Sequence, residues 1–213
     1  MGEKPSNSKR FVSKAMFYLL EDAARDRAFN ADYFIFLSES CIPIYPLEPF
    51  LEQLESSGGK SWIDFTSEPS NGYAYTNQFE PLKQVVPESC IYKSDQWVML
   101  NRTHAMQLLD FQAQTNISIW DIMRHVRSAS DEMWIATILC LMNGGRLNSD
   151  VLEKRKVTFV DWGDEMRNPL TFDEIRSRMI REAQSRGCLF ARKFKNRDPR
   201  RLEEDWHHVV MKR

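Results

Sequence analysis

Ser38-Glu39-Ser40 follow the apolar run Tyr33-Phe-Ile-Phe-Leu37 and precede Pro43, so three small or charged side chains are delivered by one apolar segment. Such a run fits a strand covered on both faces, and in open α/β sheets ligands bind just beyond the carboxyl ends of the strands. Asp131-Glu132 form a second group, placed after Ser130 where a helical stripe begins. Ser130 suits a helix cap, and carboxylates in the first turn complement the positive end of the helix dipole. Near the carboxyl terminus the run Arg192, Lys193, Lys195 and Arg197 reads as an exposed cationic patch. Ser94, Asp95 and Gln96 stand at a loop-to-strand junction, a place for ligand contacts and structural hydrogen bonds alike.

Other chemistries find no support. The four histidines give no catalytic pair, since His104 lies in a packed segment, His125 is alone and His207-His208 are adjacent on a terminal helix. Cys41, Cys90, Cys140 and Cys188 contain no C-x-x-C pair and have no histidines at ligand spacing, so buried thiols are expected rather than a zinc site. Gly58-Gly59 and Gly144-Gly145 are turn glycines without the spacing of a phosphate loop. With 29 basic and 30 acidic residues the net charge is −1, so no global field favours nucleic acid and any anion site must be local. No apolar run approaches the roughly 20 residues that span a bilayer, and the first residues lack the apolar core of a signal peptide. The sequons Asn101-Arg-Thr103 and Asn116-Ile-Ser118 would suit a secretory lumen.

At 213 residues, 42% hydrophobic and 12% aromatic, the chain can bury one sizeable core. Residues 1–10 read as a tail and 11–213 as one domain. Val12, Ala15, Met16, Leu19, Leu20 and Ala23 predict an amphipathic helix ahead of the Tyr33 strand. A short helix is expected over Leu47 to Leu54, a strand at Trp62-Ile-Asp-Phe65, and a long loop from Thr66 to Cys90. Gln96 to Leu100 predicts a strand, with helical stretches from Thr103 to Phe111 and Ile117 to Val126. Trp134, Ile135, Ile138, Leu139 and Met142 form the stripe of the Ser130 helix, which Gly144-Gly145 stop. Lys156 to Val160 predicts a strand, Thr171 with Glu174 a capping box for a helix to Ser185, Cys188 to Ala191 a final strand, and Asp198-Pro199 the start of a terminal helix.

Four segments in this order resemble the plant-type branch of the core-2/I-branching β-1,6-N-acetylglucosaminyltransferases, glycosyltransferase family fourteen. They are Phe36-Leu-Ser-Glu-Ser-Cys-Ile-Pro-Ile44; Ser94-Asp-Gln-Trp-Val-Met-Leu-Asn-Arg-Thr-His-Ala105, similar to G-S-Q-W-x-x-L-x-R-x-H-A; Ser130-Asp-Glu-Met-Trp-Ile-Ala-Thr137, similar to P-D-E-x-x-x-x-T; and Thr158-Phe-Val-Asp-Trp162 joined to Leu189-Phe-Ala-Arg-Lys-Phe194. The resemblance implies an α/β fold of glycosyltransferase-A type, a mixed sheet flanked by helices. It also implies inverting transfer of a sugar, N-acetylglucosamine by family, from a nucleotide donor such as a UDP-sugar to a glycan hydroxyl. No cofactor and no metal are implied: the sequence contains no D-x-D motif, and the family uses basic side chains against the leaving diphosphate.

By the same resemblance Glu132 matches the catalytic base and Lys193 the diphosphate-binding lysine, with Arg167 a second cation chosen by position. Glu39, Ser94, Asp95, Gln96 and Trp97 are the candidates for sugar contacts. Without the matched blocks Glu132 is a helix-start carboxylate, Lys193 a solvated lysine, and Trp134 a core residue. Family members begin with an anchor, a stem and a nucleotide-binding α/β segment, so this chain is expected to be a fragment or a natural short form lacking that front portion. The expected partners are a nucleotide-sugar donor and a glycan or glycoprotein acceptor, not nucleic acid. The implied location is the Golgi, with the membrane reached only through an anchor outside this chain. A non-catalytic carbohydrate- or partner-binding remnant of the same fold is the alternative.

Overall fold

The computed structural model describes residues 12–26, 28–163, 168–195 and 199–211, so the tail expected over residues 1–10 lies outside the described residues. Nine short strands form three groups among them: a sheet of four strands, a sheet of three, and the antiparallel pair of β4 (Phe65–Thr66) with β5 (Lys93–Ser94). In the first sheet, β1 (Tyr33–Ile35) and β3 (Ser61–Trp62) run antiparallel to β6 (Met99–Asn101), and β7 (Leu152–Glu153) runs parallel to β3. In the second, β9 (Phe190–Arg192) lies between antiparallel β2 (Ile42–Pro43) and parallel β8 (Thr158–Val160). Mixed sheets flanked by helices match the glycosyltransferase-A type expectation.

The helix Val12–Arg25 buries Ser13, Met16, Leu20 and Ala24, a spacing that keeps one face on the core. Asn101 caps the helix Arg102–Thr115 by accepting from His104 N at 2.8 Å, and Asn116, at φ 58°, ends it in the left-handed conformation that asparagine tolerates. The helix Trp134–Met142 buries seven consecutive residues, Trp134 to Cys140, and is the centre of the main core with Leu20, Phe34, Leu100 and Leu108. Trp62 and Met99 of the first sheet pack on Val157, Leu189 and Phe190 around the second, so one apolar cluster fixes the two sheets against each other.

Several expected elements differ. The strand from Tyr33 stops at Ile35 and is the edge of its sheet; Phe34 packs into the main core on one face while half-buried Tyr33 and Ile35 pack on the cluster between the sheets on the other, and Leu37, past the strand, is 42% exposed. The Trp62-Phe65 strand is divided between β3 and β4 (Phe65–Thr66), and the expected 96–100 strand begins only at Met99. The stretch from Thr66 to Cys90 is not a loop: residues 72–82 are helical, Asn71 caps them by accepting from Ala74 N at 2.9 Å, and Phe79 and Leu82 are buried. Its Ser, Pro and Gly content hid two core anchors three residues apart. The Thr171-Glu174 capping box does not form, because Phe172 is drawn into extended pairing with Phe194 and the helix starts only at Ser177. Glu174 instead accepts from Arg176 Nε at 2.7 Å.

Candidate functional site

Glu132 ends a 3₁₀ turn, Ser130–Glu132, that leads into the buried helix Trp134–Met142. Ser130 does not cap this helix; its Oγ hydrogen-bonds Ser13 Oγ at 2.9 Å, and Ala129 enters the turn at φ 49°. The half-buried Glu132 carboxylate receives two donors on the same oxygen: Lys93 Nζ lies 3.1 Å and Gln78 Nε2 3.2 Å from Oε2. Lys93 belongs to β5 (Lys93–Ser94), which pairs with β4. Two further ties bind the helix to the segment before that strand. Thr137 Oγ1 donates to Tyr92 O at 3.1 Å and accepts from Tyr92 N at 3.2 Å, and Cys140 Sγ lies 3.1 Å from Cys90 Sγ. Residues 132, 137 and 140 therefore meet residues 93, 92 and 90 in reverse order, Glu132 from the turn and Thr137 and Cys140 from one face of the helix.

The Ser94 to Trp97 segment continues from Lys93. Ser94 is buried opposite Phe65, and its Oγ has no hydrogen-bond partner among the described residues. Asp95 N donates to Asp64 O at 3.1 Å, and Lys156 Nζ bridges the two side chains at 3.3 Å from Asp64 Oδ2 and 3.5 Å from Asp95 Oδ2. Burial raises the Asp95 carboxyl above its ordinary range; Lys156 opposes this, and the negative charges of Asp64 and Glu132 add to it. Burial alone would lower the Lys156 ammonium, but Asp95 and Asp64 outweigh it and leave the group raised. Gln96 is half-buried, and half-buried Trp97 carries the Arg192 guanidinium 4.5 Å above its ring, a cation–π distance.

Lys193 is exposed at the end of β9. Its carbonyl accepts from Phe172 N at 2.8 Å, and Phe194 N donates to Ser40 O at 3.1 Å, so the Ser38 to Ser40 loop lies against the Lys193 segment. Glu39 is exposed in that loop, whose shape is fixed by Ser38 Oγ to Ser40 Oγ at 2.9 Å. The four matched segments thus meet in space: Phe36 N donates to Val98 O at 3.0 Å, Trp97 meets Arg192, and Lys93 meets Glu132. No hydrogen bond or ion pair joins Glu132 to Lys193 among the described residues; the segment from Lys93 to Trp97 connects their surroundings. Arg167 lies outside the described residues.

Sequence pattern does not mark Lys93, Gln78, Asp64 and Lys156 as site residues, and Arg192, expected in an exposed cationic patch, is half-buried against Trp97. Lys93 was findable, since it immediately precedes the Ser94 block, whereas Gln78 sat in the stretch expected to be a loop. A cavity of about 510 Å³ lies elsewhere, between the first helix and β1, lined by Leu19, Phe29, Tyr33, Ile35 and Leu37 among others; its apolar walls bring no convergent charged groups. Trp134 is fully buried core, and buried His104 takes Ser61 Oγ at 2.7 Å from Nδ1, so neither belongs to the site.

A search among curated proteins finds no match. The family model described as Core-2/I-Branching enzyme matches residues 10–185, a span that includes the Glu39 loop, the Ser94 block and Glu132 and stops short of Lys193. The chain therefore belongs to the core-2/I-branching enzyme family, a family of glycosyltransferases.

Proposed function

We propose that this chain acts as a metal-independent, inverting glycosyltransferase that moves N-acetylglucosamine from a UDP-sugar to a glycan hydroxyl, with Glu132 as general base. One observation carries this reading: Lys93 and Gln78 both bind Glu132 Oε2, which fixes the carboxylate plane and leaves Oε1 to accept a proton. The acceptor oxygen attacks the anomeric carbon, its proton passes to Glu132 Oε1, and the bond from that carbon to the diphosphate breaks with the electron pair leaving on the nucleotide. Lys193, exposed and therefore free to swing, neutralises the leaving diphosphate, with Arg192 beside it stacked on Trp97. Cationic side chains are given the role of a metal because the sequence offers no D-x-D motif to hold one. Gln96 and Trp97 border the acceptor, whereas Asp95, engaged by Lys156, acts on it only when that ion pair opens.

The decisive assay follows UDP release and glycan product in chelator. Glu132→Gln is expected to lower turnover by roughly 100- to 10,000-fold, the usual contribution of a general base, with an unchanged thermal midpoint. Equal turnover in parent and variant excludes Glu132 as base, and complete dependence on manganese excludes the metal-free route. For a Golgi location, the two sequons give a separate test. Asn101 is committed on both sides of its amide, accepting from His104 N and donating to Gly59 O at 2.8 Å, while Asn116 is exposed at a helix end. Secreted protein should carry one N-glycan, lost in Asn116→Gln and kept in Asn101→Gln; an unglycosylated product counts against passage through the lumen.

A further inference from the structure

The Cys90 and Cys140 thiols lie 50 positions apart in sequence and 3.1 Å apart in space. Ordinary contact between two sulfur atoms is wider than this, and both residues are buried, at 2% and 0% exposure. They terminate the same set of ties that places Lys93 against Glu132: Cys90 is three residues before Lys93, and Cys140 is three residues after Thr137 on one helix face. Cys41 and Cys188, by contrast, have no cysteine partner among the described residues.

We propose that Cys90 and Cys140 form a disulfide that staples the segment leading into β5 to the helix Trp134–Met142. The reaction is thiol–disulfide exchange with an oxidised protein dithiol or glutathione disulfide. One cysteine sulfur displaces a thiol from the oxidant, the second displaces the other, and two thiols leave reduced as the new sulfur–sulfur bond forms. Burial and the neighbouring Cys90 raise the Cys140 thiol well above its ordinary value, so in the closed core it is a poor nucleophile. Bond formation belongs to folding, before the helix packs. Once made, the bond fixes the spacing between the strand that carries Lys93 and the helix that follows Glu132. This geometry stands without the catalytic reading above, and the luminal location proposed there serves only to supply oxidant.

The test is a peptide map of the chain refolded in a glutathione redox buffer, denatured without reductant and alkylated. The expected result is a linked Cys90–Cys140 peptide pair, with Cys41 and Cys188 alkylated. Alkylation of all four cysteines, or linkage through Cys41 or Cys188, overturns the assignment. A second measurement does not depend on the variant folding well: reductant should lower the thermal midpoint of the parent by roughly 5–10 °C, the size expected for a bridge closing a long loop. It should leave a Cys90→Ala/Cys140→Ala protein unchanged. A parent insensitive to reductant overturns the stapling role. Because neither readout uses activity, a failed map and a failed transfer assay are separate results.

Discussion

The two ends of the candidate site are built in opposite ways. Around Glu132 the carboxylate is held by two donors, the helix behind it is buried, and Thr137 and Cys140 bind that helix to the neighbouring strand. Around Lys193 the side chain is exposed and only the backbone is fixed, through Phe172 and Ser40. The contrast matches what the two proposed roles demand. A general base must sit within hydrogen-bond distance of one proton and keep that geometry through the reaction. A cation facing a diphosphate acts through a field that falls slowly with distance and can follow its ligand.

The largest expected effect is therefore at the rigid end. Glu132→Gln keeps the shape and one acceptor oxygen but removes the negative charge, and turnover should fall at least 100-fold, about 2.7 kcal/mol of barrier. A loss of that size at Lys193→Ala with little change at Glu132→Gln would reverse the comparison. Next comes Thr137→Val, which removes the hydroxyl while preserving volume and strands both Tyr92 backbone groups. Stability should drop by about 1–3 kcal/mol in urea titration, and turnover should drop with it as Lys93 loses its register. Unchanged stability would mean that the helix-to-strand ties do not hold the base in place. At the flexible end, Lys193→Ala should cost roughly tenfold in turnover, deepening as salt is lowered, because an exposed cation acts through a screened field. Lys193→Arg should restore most of it, since a mobile cation needs charge more than exact geometry.

How much of this was visible in the sequence follows the same division. At the rigid end the position of Glu132 was legible, because the apolar stripe from Trp134 put it at a helix start. Its partners were not. Gln78 reaches it from 54 residues away, out of a stretch whose Ser, Pro and Gly content concealed helical turns buried through Phe79 and Leu82. Local pattern carries no record of such a pairing. The Ser130 cap failed for a similar reason, since a bond to Ser13, 117 positions earlier, took its hydroxyl. The strands were legible in type but not in length, because β1 to β9 are two or three residues each and depend on partners distant in sequence. Residues 33–37 read as one covered strand, yet only 33–35 pair, because apolar composition signals coverage of the faces and not where the ladder ends.

A final, smaller effect separates buried packing from chemistry on the sheet side. His104 Nδ1 faces Ser61 Oγ at 2.7 Å, and that oxygen already accepts from Asn101 N at 2.8 Å. A hydroxyl oxygen that accepts once keeps a second lone pair, so the serine either donates to neutral Nδ1 or accepts from Nδ1–H, according to the imidazole tautomer. Burial lowers the His104 value from 6.5, so the folded state resists protonation that the unfolded chain accepts. The stability this contributes is fully present above the unfolded value and is lost as pH falls from about 6.5 through the lowered folded value. Urea midpoints for the parent should accordingly decline between pH 7.5 and pH 5.5 more steeply than those of His104→Gln, which keeps a polar side chain but cannot take up a proton. Parallel slopes would mean that His104 takes up a proton in the folded state as readily as in the unfolded chain.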